Sequence, residues 1–83
     1  MILAALGMVS TSVMAGTDTI KSIWVKSDRT VIRLNNDEAC RVDTTQDADF
    51  VKRFVAAAMT AQAQGRTVIL NYSGALCTDM IIK

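Results

Sequence analysis

The sequence TTQDADFVKRFVAAAMTAQAQGRTVILNY occupies residues 44–72 and joins a helix pattern to a strand pattern. Apolar residues recur there at spacings of three and four, which is typical of a helix with one face against a core. They are Phe50, Phe54, Ala57, Ala58 and Ala61. The start signal Thr44-Thr45-Gln46-Asp47 precedes this stripe, and Gly65 is suited to end a helix in left-handed backbone. We therefore predict a helix over 47–64, then a strand over 66–72 in the middle of a sheet.

Strand patterns flank this unit on both sides. The segments TIKSIWVK and TVIRL are rich in β-branched and aromatic residues, and the short turn between them predicts an antiparallel hairpin. The predicted strands are 19–26, 30–34, 39–42, 66–72 and 80–82. The sequence thus predicts an α+β fold with a small antiparallel sheet of four or five strands and one helix, in the order β-β-(β)-α-β-β.

The N-terminal residues have the pattern of an export signal. Residues 1–15 carry no charged side chain, and 2–9 form an apolar core of the length expected for a signal peptide. Val13-Met14-Ala15 fits a cleavage site, which would leave a single domain over 16–83. The stretch is shorter than the roughly 20 apolar residues of a membrane span. It lacks the usual Lys or Arg before the core, so we expect a basic segment upstream of it.

The only two cysteines, Cys40 and Cys77, both follow this signal. An exported chain enters a compartment that favours disulfides, and two cysteines allow one intramolecular pairing. Metal or redox pairs normally have closer spacing or further Cys and His ligands. We therefore predict a structural disulfide and a periplasmic or secreted protein.

The composition argues against several classes of function. The chain has nine basic and eight acidic residues, so it lacks the excess positive charge of a nucleic-acid-binding surface. It has no histidine, the commonest proton-transfer group and transition-metal ligand near neutral pH. We expect no enzyme activity, no cofactor and no metal site.

Four residues are candidates for a ligand site or an interface: Trp24, Ser22, Lys52 and Arg53. If Ile23 and Val25 face the core, Trp24 lies on the outer surface with Ser22, where an aromatic ring beside a hydroxyl suits a sugar. The alternative is that Trp24 is part of the core or of a subunit contact. Lys52 and Arg53 lie off the apolar stripe, either on an interaction surface or on a solvated helix face.

Two further motifs have plainer interpretations. Tyr72-Ser73-Gly74 has no histidine to activate the serine and lacks the first glycine of a nucleophile elbow, which favours a turn serine. Asp37-Glu38 with Asp43 does not match the spacing of a calcium-binding EF-hand loop, which favours a solvated turn.

The order of elements, with the segment AQGRTVILNY after the helix and a cysteine on either side of it, resembles the B subunits of subtilase- and pertussis-like AB5 toxins. That resemblance implies a barrel of the oligonucleotide/oligosaccharide-binding (OB) type, a ring of identical subunits and glycan ligands. It transfers no glycan-binding residue to this chain. We therefore expect an exported binding module of this kind; the alternative is a periplasmic structural or inhibitor-like domain that binds another protein without binding sugar.

Overall fold

The computed structural model describes residues 14–83, which form five strands and one helix. The strands are β1 (Met14–Val25), β2 (Arg29–Leu34), β3 (Ala39–Asp43), β4 (Thr67–Ser73) and β5 (Leu76–Ile82), and helix α1 spans Ala48–Ala63 between β3 and β4. The α+β class and the predicted order of elements are therefore confirmed. No helix among residues 14–83 is long and apolar enough to cross a membrane.

Strand β1 begins at Met14, whereas the predicted strand begins at residue 19. Met14 pairs with Tyr72 and Thr19 with Thr67, so residues 14–19 run antiparallel to β4. Polar Gly16-Thr17-Asp18 resembles a turn in sequence, but Gly16 pairs with Leu70 of β4 and lies against the Glu38 side chain. A Cβ there would lie 2.7 Å from Glu38 Oε1.

The predicted export signal lies almost entirely outside the described residues. Its last two residues, Met14 and Ala15, are the first two of β1. Cleavage after Ala15 stays a prediction, and it would leave Gly16 as the first residue of the shortened strand.

The second half of β1 pairs with β2, after an irregularity in register between Ile20 and Ser22. One strand therefore contacts two neighbours, β4 along its first half and β2 along its second. The β1–β2 hairpin forms as predicted, and β4 and β5 form a second antiparallel hairpin. β5 also meets β3 in a parallel pairing at Leu76 and Arg41, so the sheet is mixed rather than purely antiparallel. The strands follow one another in the closed order β1-β2-β3-β5-β4.

Helix α1 begins one residue later than predicted. Asp47, rather than Thr44, is its N-cap, since the Asp47 carboxylate accepts a hydrogen bond from the Phe50 backbone N–H. At the other end, Gly65 has a φ of 64° and receives the chain in left-handed backbone, as predicted.

The core lies between the helix and the inner face of the sheet. Phe54, Ala58 and Ala61 of the predicted stripe are buried, whereas Phe50 and Ala57 are only half-buried. The core comprises Ile20, Ile32, Leu34, Cys40, Val42, Phe54, Ala58, Ala61, Val68, Leu70 and Cys77. Cys40 and Cys77 form the predicted disulfide, with a Cα–Cα distance of 5.2 Å.

Candidate functional site

Trp24 lies on the outer surface of the sheet. In the β1–β2 ladder Ile23 is opposite Ile32, which is fully buried, so the alternate residue Trp24 faces outward. Its side chain is 61% exposed. The alternative that Trp24 belongs to the core of the chain is therefore wrong.

The expectation that both Ile23 and Val25 belong to the core is confirmed for Ile23 only. Ile23 is half-buried and packs against the core, as predicted. Val25 points to the same side opposite Thr30, but it is 64% exposed and is not a core residue.

We call the exposed surface of strands β1, β2 and β3 the outer face. On this face, cationic side chains and a hydroxyl lie around Trp24. Val31 of β2 lies directly opposite Trp24, and Arg41 of β3 lies opposite Val31. Ser22 lies two residues before Trp24 on the same face, opposite Arg33. The predicted pair of Ser22 and Trp24 is thus brought together, with two guanidinium groups on the adjacent strands.

A lysine contacts the tryptophan ring directly. The Lys26 ammonium lies 4.6 Å from the centroid of the Trp24 ring, in the range of a cation–π interaction. Such contacts stabilise by about 0.5–1 kcal/mol at exposed sites. The contact restrains the exposed ring and adds a hydrogen-bond donor beside it. Sequence reasoning missed Lys26, although it lies two residues from Trp24 and therefore on the same face of an extended chain.

Lys52 and Arg53 lie on different sides of helix α1. Lys52 lines a cleft of about 370 Å³ at the end of the sheet where β1 turns into β2. The residues lining this first cleft are Lys26, Ser27, Asp28, Arg29, Thr30, Val42, Asp43, Thr44, Gln46, Ala48, Val51 and Lys52. Arg53 instead lines a second cleft of about 440 Å³ between α1 and β5, with Phe50, Phe54, Ala57 and Met80. The two basic residues therefore do not form one site.

The carboxylate of Asp43 is held in its ionised form at the edge of the first cleft. It accepts hydrogen bonds from the Thr45 hydroxyl and from the Thr45 backbone N–H, and Arg41 Nε donates to it at 3.2 Å. The Thr45 hydroxyl is the largest cause that lowers the pKa of Asp43, followed by the Thr45 backbone and Arg41. This carboxylate is therefore already satisfied by the protein.

Because the folded pKa of Asp43 is lowered, it contributes stability at neutral pH that is lost as the pH falls from about 4 through the folded value. We expect Thr45→Val to raise the pKa of Asp43 towards its ordinary value, whereas Thr44→Val, one residue away, leaves it unchanged. NMR titration of the Asp43 side-chain carbon measures both. An Asp43 pKa that is the same in Thr45→Val and in the parent would contradict this assignment.

The acidic residues of the turn after β2 have structural roles in the fold. Asp37 has a φ of 72°, in the left-handed region that aspartate tolerates in turns. Glu38 accepts a hydrogen bond from the Tyr72 hydroxyl, which raises the pKa of Tyr72. Among residues 14–83 no group of three or more His, Cys, Asp or Glu side chains converges as metal ligands do. Ser73 is exposed at the end of β4, beside the β4–β5 turn.

No protein-family model matches the chain, and comparison with curated proteins and with solved structures found no match.

Proposed function

We propose that this protein is an exported binding module whose outer face binds a sugar ring on Trp24. The observation that carries the proposal is the 61% exposure of a tryptophan that contacts a cation and lies beside a hydroxyl. Tryptophan has a large apolar ring with a polar N–H, and such side chains dominate the energetics of binding surfaces. Ser22 and Arg33 provide hydrogen-bonding groups on the same face.

The proposed architecture is an OB-type barrel. It is supported by the closed strand order, by the pairing of β1 with β4, and by the position of helix α1 between β3 and β4. Barrels of this type bind oligosaccharides and oligonucleotides on an outer sheet surface. The near-neutral charge of this chain favours the sugar.

Export and ring assembly are parts of the same proposal. The buried Cys40–Cys77 disulfide supports an oxidising compartment. Exposed apolar side chains at Ile81 and Ile82 support an assembly of several copies, as in the toxin B subunits that the sequence resembles. Size-exclusion chromatography with light scattering tests the assembly, and a monomer at micromolar concentration would exclude a stable ring.

The test of sugar binding targets Trp24, the only tryptophan in the chain. A glycan array identifies the ligand, and isothermal titration calorimetry then measures its affinity for every variant, with Trp24 fluorescence as a second readout in the parent and in the control. We expect Trp24→Ala to weaken binding about 30-fold, corresponding to the roughly 2 kcal/mol of a central aromatic contact. Val25→Ala is the matched control: Val25 is equally exposed, lies next in the chain and faces the other side of the strand. Equal binding by parent and Trp24→Ala would overturn the proposal.

A second candidate function is binding of a protein segment at β5. Beyond the pairing at Leu76, no other described strand pairs with the free side of β5, and the apolar second cleft lies next to that edge. An open edge beside an apolar groove suits an added strand. This alternative predicts that Arg53→Glu, in the second cleft, reduces capture of a partner while Trp24→Ala does not.

A further inference from the structure

The first cleft combines an apolar wall with a basic rim. Val42 and Thr30 close its base but present almost no surface to it, with exposed fractions of 0% and 8%. Val51 of helix α1 forms one wall and is half-buried. The volume of the first cleft, about 370 Å³, falls in the range of small-molecule sites.

Three cations line this cleft, namely Lys26, Arg29 and Lys52. No ion pair among residues 14–83 involves Lys26 or Lys52. Arg29 Nε forms an ion pair with Asp28 Oδ1 at 3.5 Å but makes no hydrogen bond among the described residues. This pair is solvent-exposed, with Arg29 39% and Asp28 66% exposed, so it contributes little and leaves Arg29 able to pair with another anion.

The carboxylates of the cleft do not neutralise these cations. Asp43 is bonded to Thr45 and to Arg41, and Arg41 lies outside the cleft. Asp28 remains as the one carboxylate close to a cation of the rim. The rim therefore carries an excess of positive charge beside an apolar wall.

From this arrangement we infer that the first cleft binds a small amphiphilic carboxylate, such as a short fatty acid. The carboxylate would lie among the ammonium and guanidinium groups of the rim, and the apolar tail would lie against Ala48 and Val51 of helix α1. This inference goes beyond sugar binding by Trp24, because it places a second ligand at the end of the sheet rather than on the outer face. Lys26 borders both sites.

Octanoate is a suitable probe, with octanol as its uncharged counterpart. We expect octanoate to shift the amide NMR signals of Thr30, Val42 and Val51, and octanol to bind at least five-fold more weakly. Lys52→Ala should weaken octanoate binding about five-fold, since a charge contact at a rim contributes up to roughly 1 kcal/mol. Arg53→Ala is the matched control, because Arg53 is the next residue, carries the same charge and lines the other cleft.

The same titrations contain the results that would overturn the inference. Octanol binding as tightly as octanoate would exclude a carboxylate site. Equal losses in Lys52→Ala and Arg53→Ala would show only a general effect of charge, and signal shifts confined to Phe50, Phe54 and Met80 would place the ligand in the second cleft. No binding of octanoate at millimolar concentration would also reject the inference. Octanoate binding retained in Trp24→Ala would separate this site from the sugar site.

Discussion

Reduction of the Cys40–Cys77 disulfide is expected to lower the free energy of unfolding by about 4 kcal/mol, the chain-entropy value for a loop of this length. The position of the disulfide predicts which strands lose stability when it is reduced. It joins β3 to β5, whose ladder has a single parallel pair at Arg41 and Leu76. The Arg41 N–H also donates to the Ala75 carbonyl at 2.8 Å. Covalent linkage therefore reinforces the contact between strands with the least hydrogen bonding.

Urea unfolding with and without a phosphine reductant measures this loss. Hydrogen exchange should locate it: amides of Leu76 and Cys77 should lose protection before those of the extensive β1–β4 ladder. The double variant Cys40→Ala/Cys77→Ala is the control, because reductant should have no further effect on it. Two reactive thiols in unreduced exported protein, or equal stability of both forms, would contradict the prediction.

Truncation of Phe54 to alanine is expected to destabilise the domain by about 3–5 kcal/mol, the usual range for a buried phenylalanine. Phe54 is 5% exposed and belongs to the core between helix and sheet. The domain has about 70 described residues, and proteins of that size have only a few kcal/mol of net stability. The variant should therefore be partly unfolded at room temperature.

Phe50→Ala is expected to cost less, although the two rings are in contact with centroids 5.5 Å apart. Phe50 is half-buried and lies at the edge of the second cleft. Thermal and urea unfolding of both variants gives the ranking, with exposed Lys52→Ala expected within about 0.5 kcal/mol of the parent. A Phe54→Ala variant that unfolds like the parent would mean that the helix is rotated about its axis.

The helix could be predicted from the sequence because its signals are local. Apolar spacing selects the buried side of α1, and a terminal glycine in left-handed backbone ends it. The strand after the helix was likewise predicted to within a residue or two from its run of β-branched residues. The disulfide was predicted because the chain has only two cysteines, both after the predicted export signal, and it is confirmed.

The features that the sequence analysis did not predict depend on contacts between residues far apart in the chain. Residues 14–18 form a strand because β4 supplies hydrogen-bond partners that are 50 or more positions away in the chain. The parallel pairing of β3 with β5 has no sequence pattern of its own, since the helix and β4 separate the two strands. The exposure of Val25 likewise depends on how far neighbouring elements cover the end of β1.

The sequence by itself determined the elements, their order and the covalent link, since these depend on propensity, periodicity and cysteine count. Only the tertiary structure decided the candidate sites. It separated Lys52 from Arg53 because successive residues on a helix point in directions about 100° apart. It also brought Lys26 beside Trp24 and into the first cleft, together with Lys52 from a helix 26 residues later. Binding surfaces of this kind arise from side chains that approach one another only when the sheet and helix pack, and no local pattern encodes that approach.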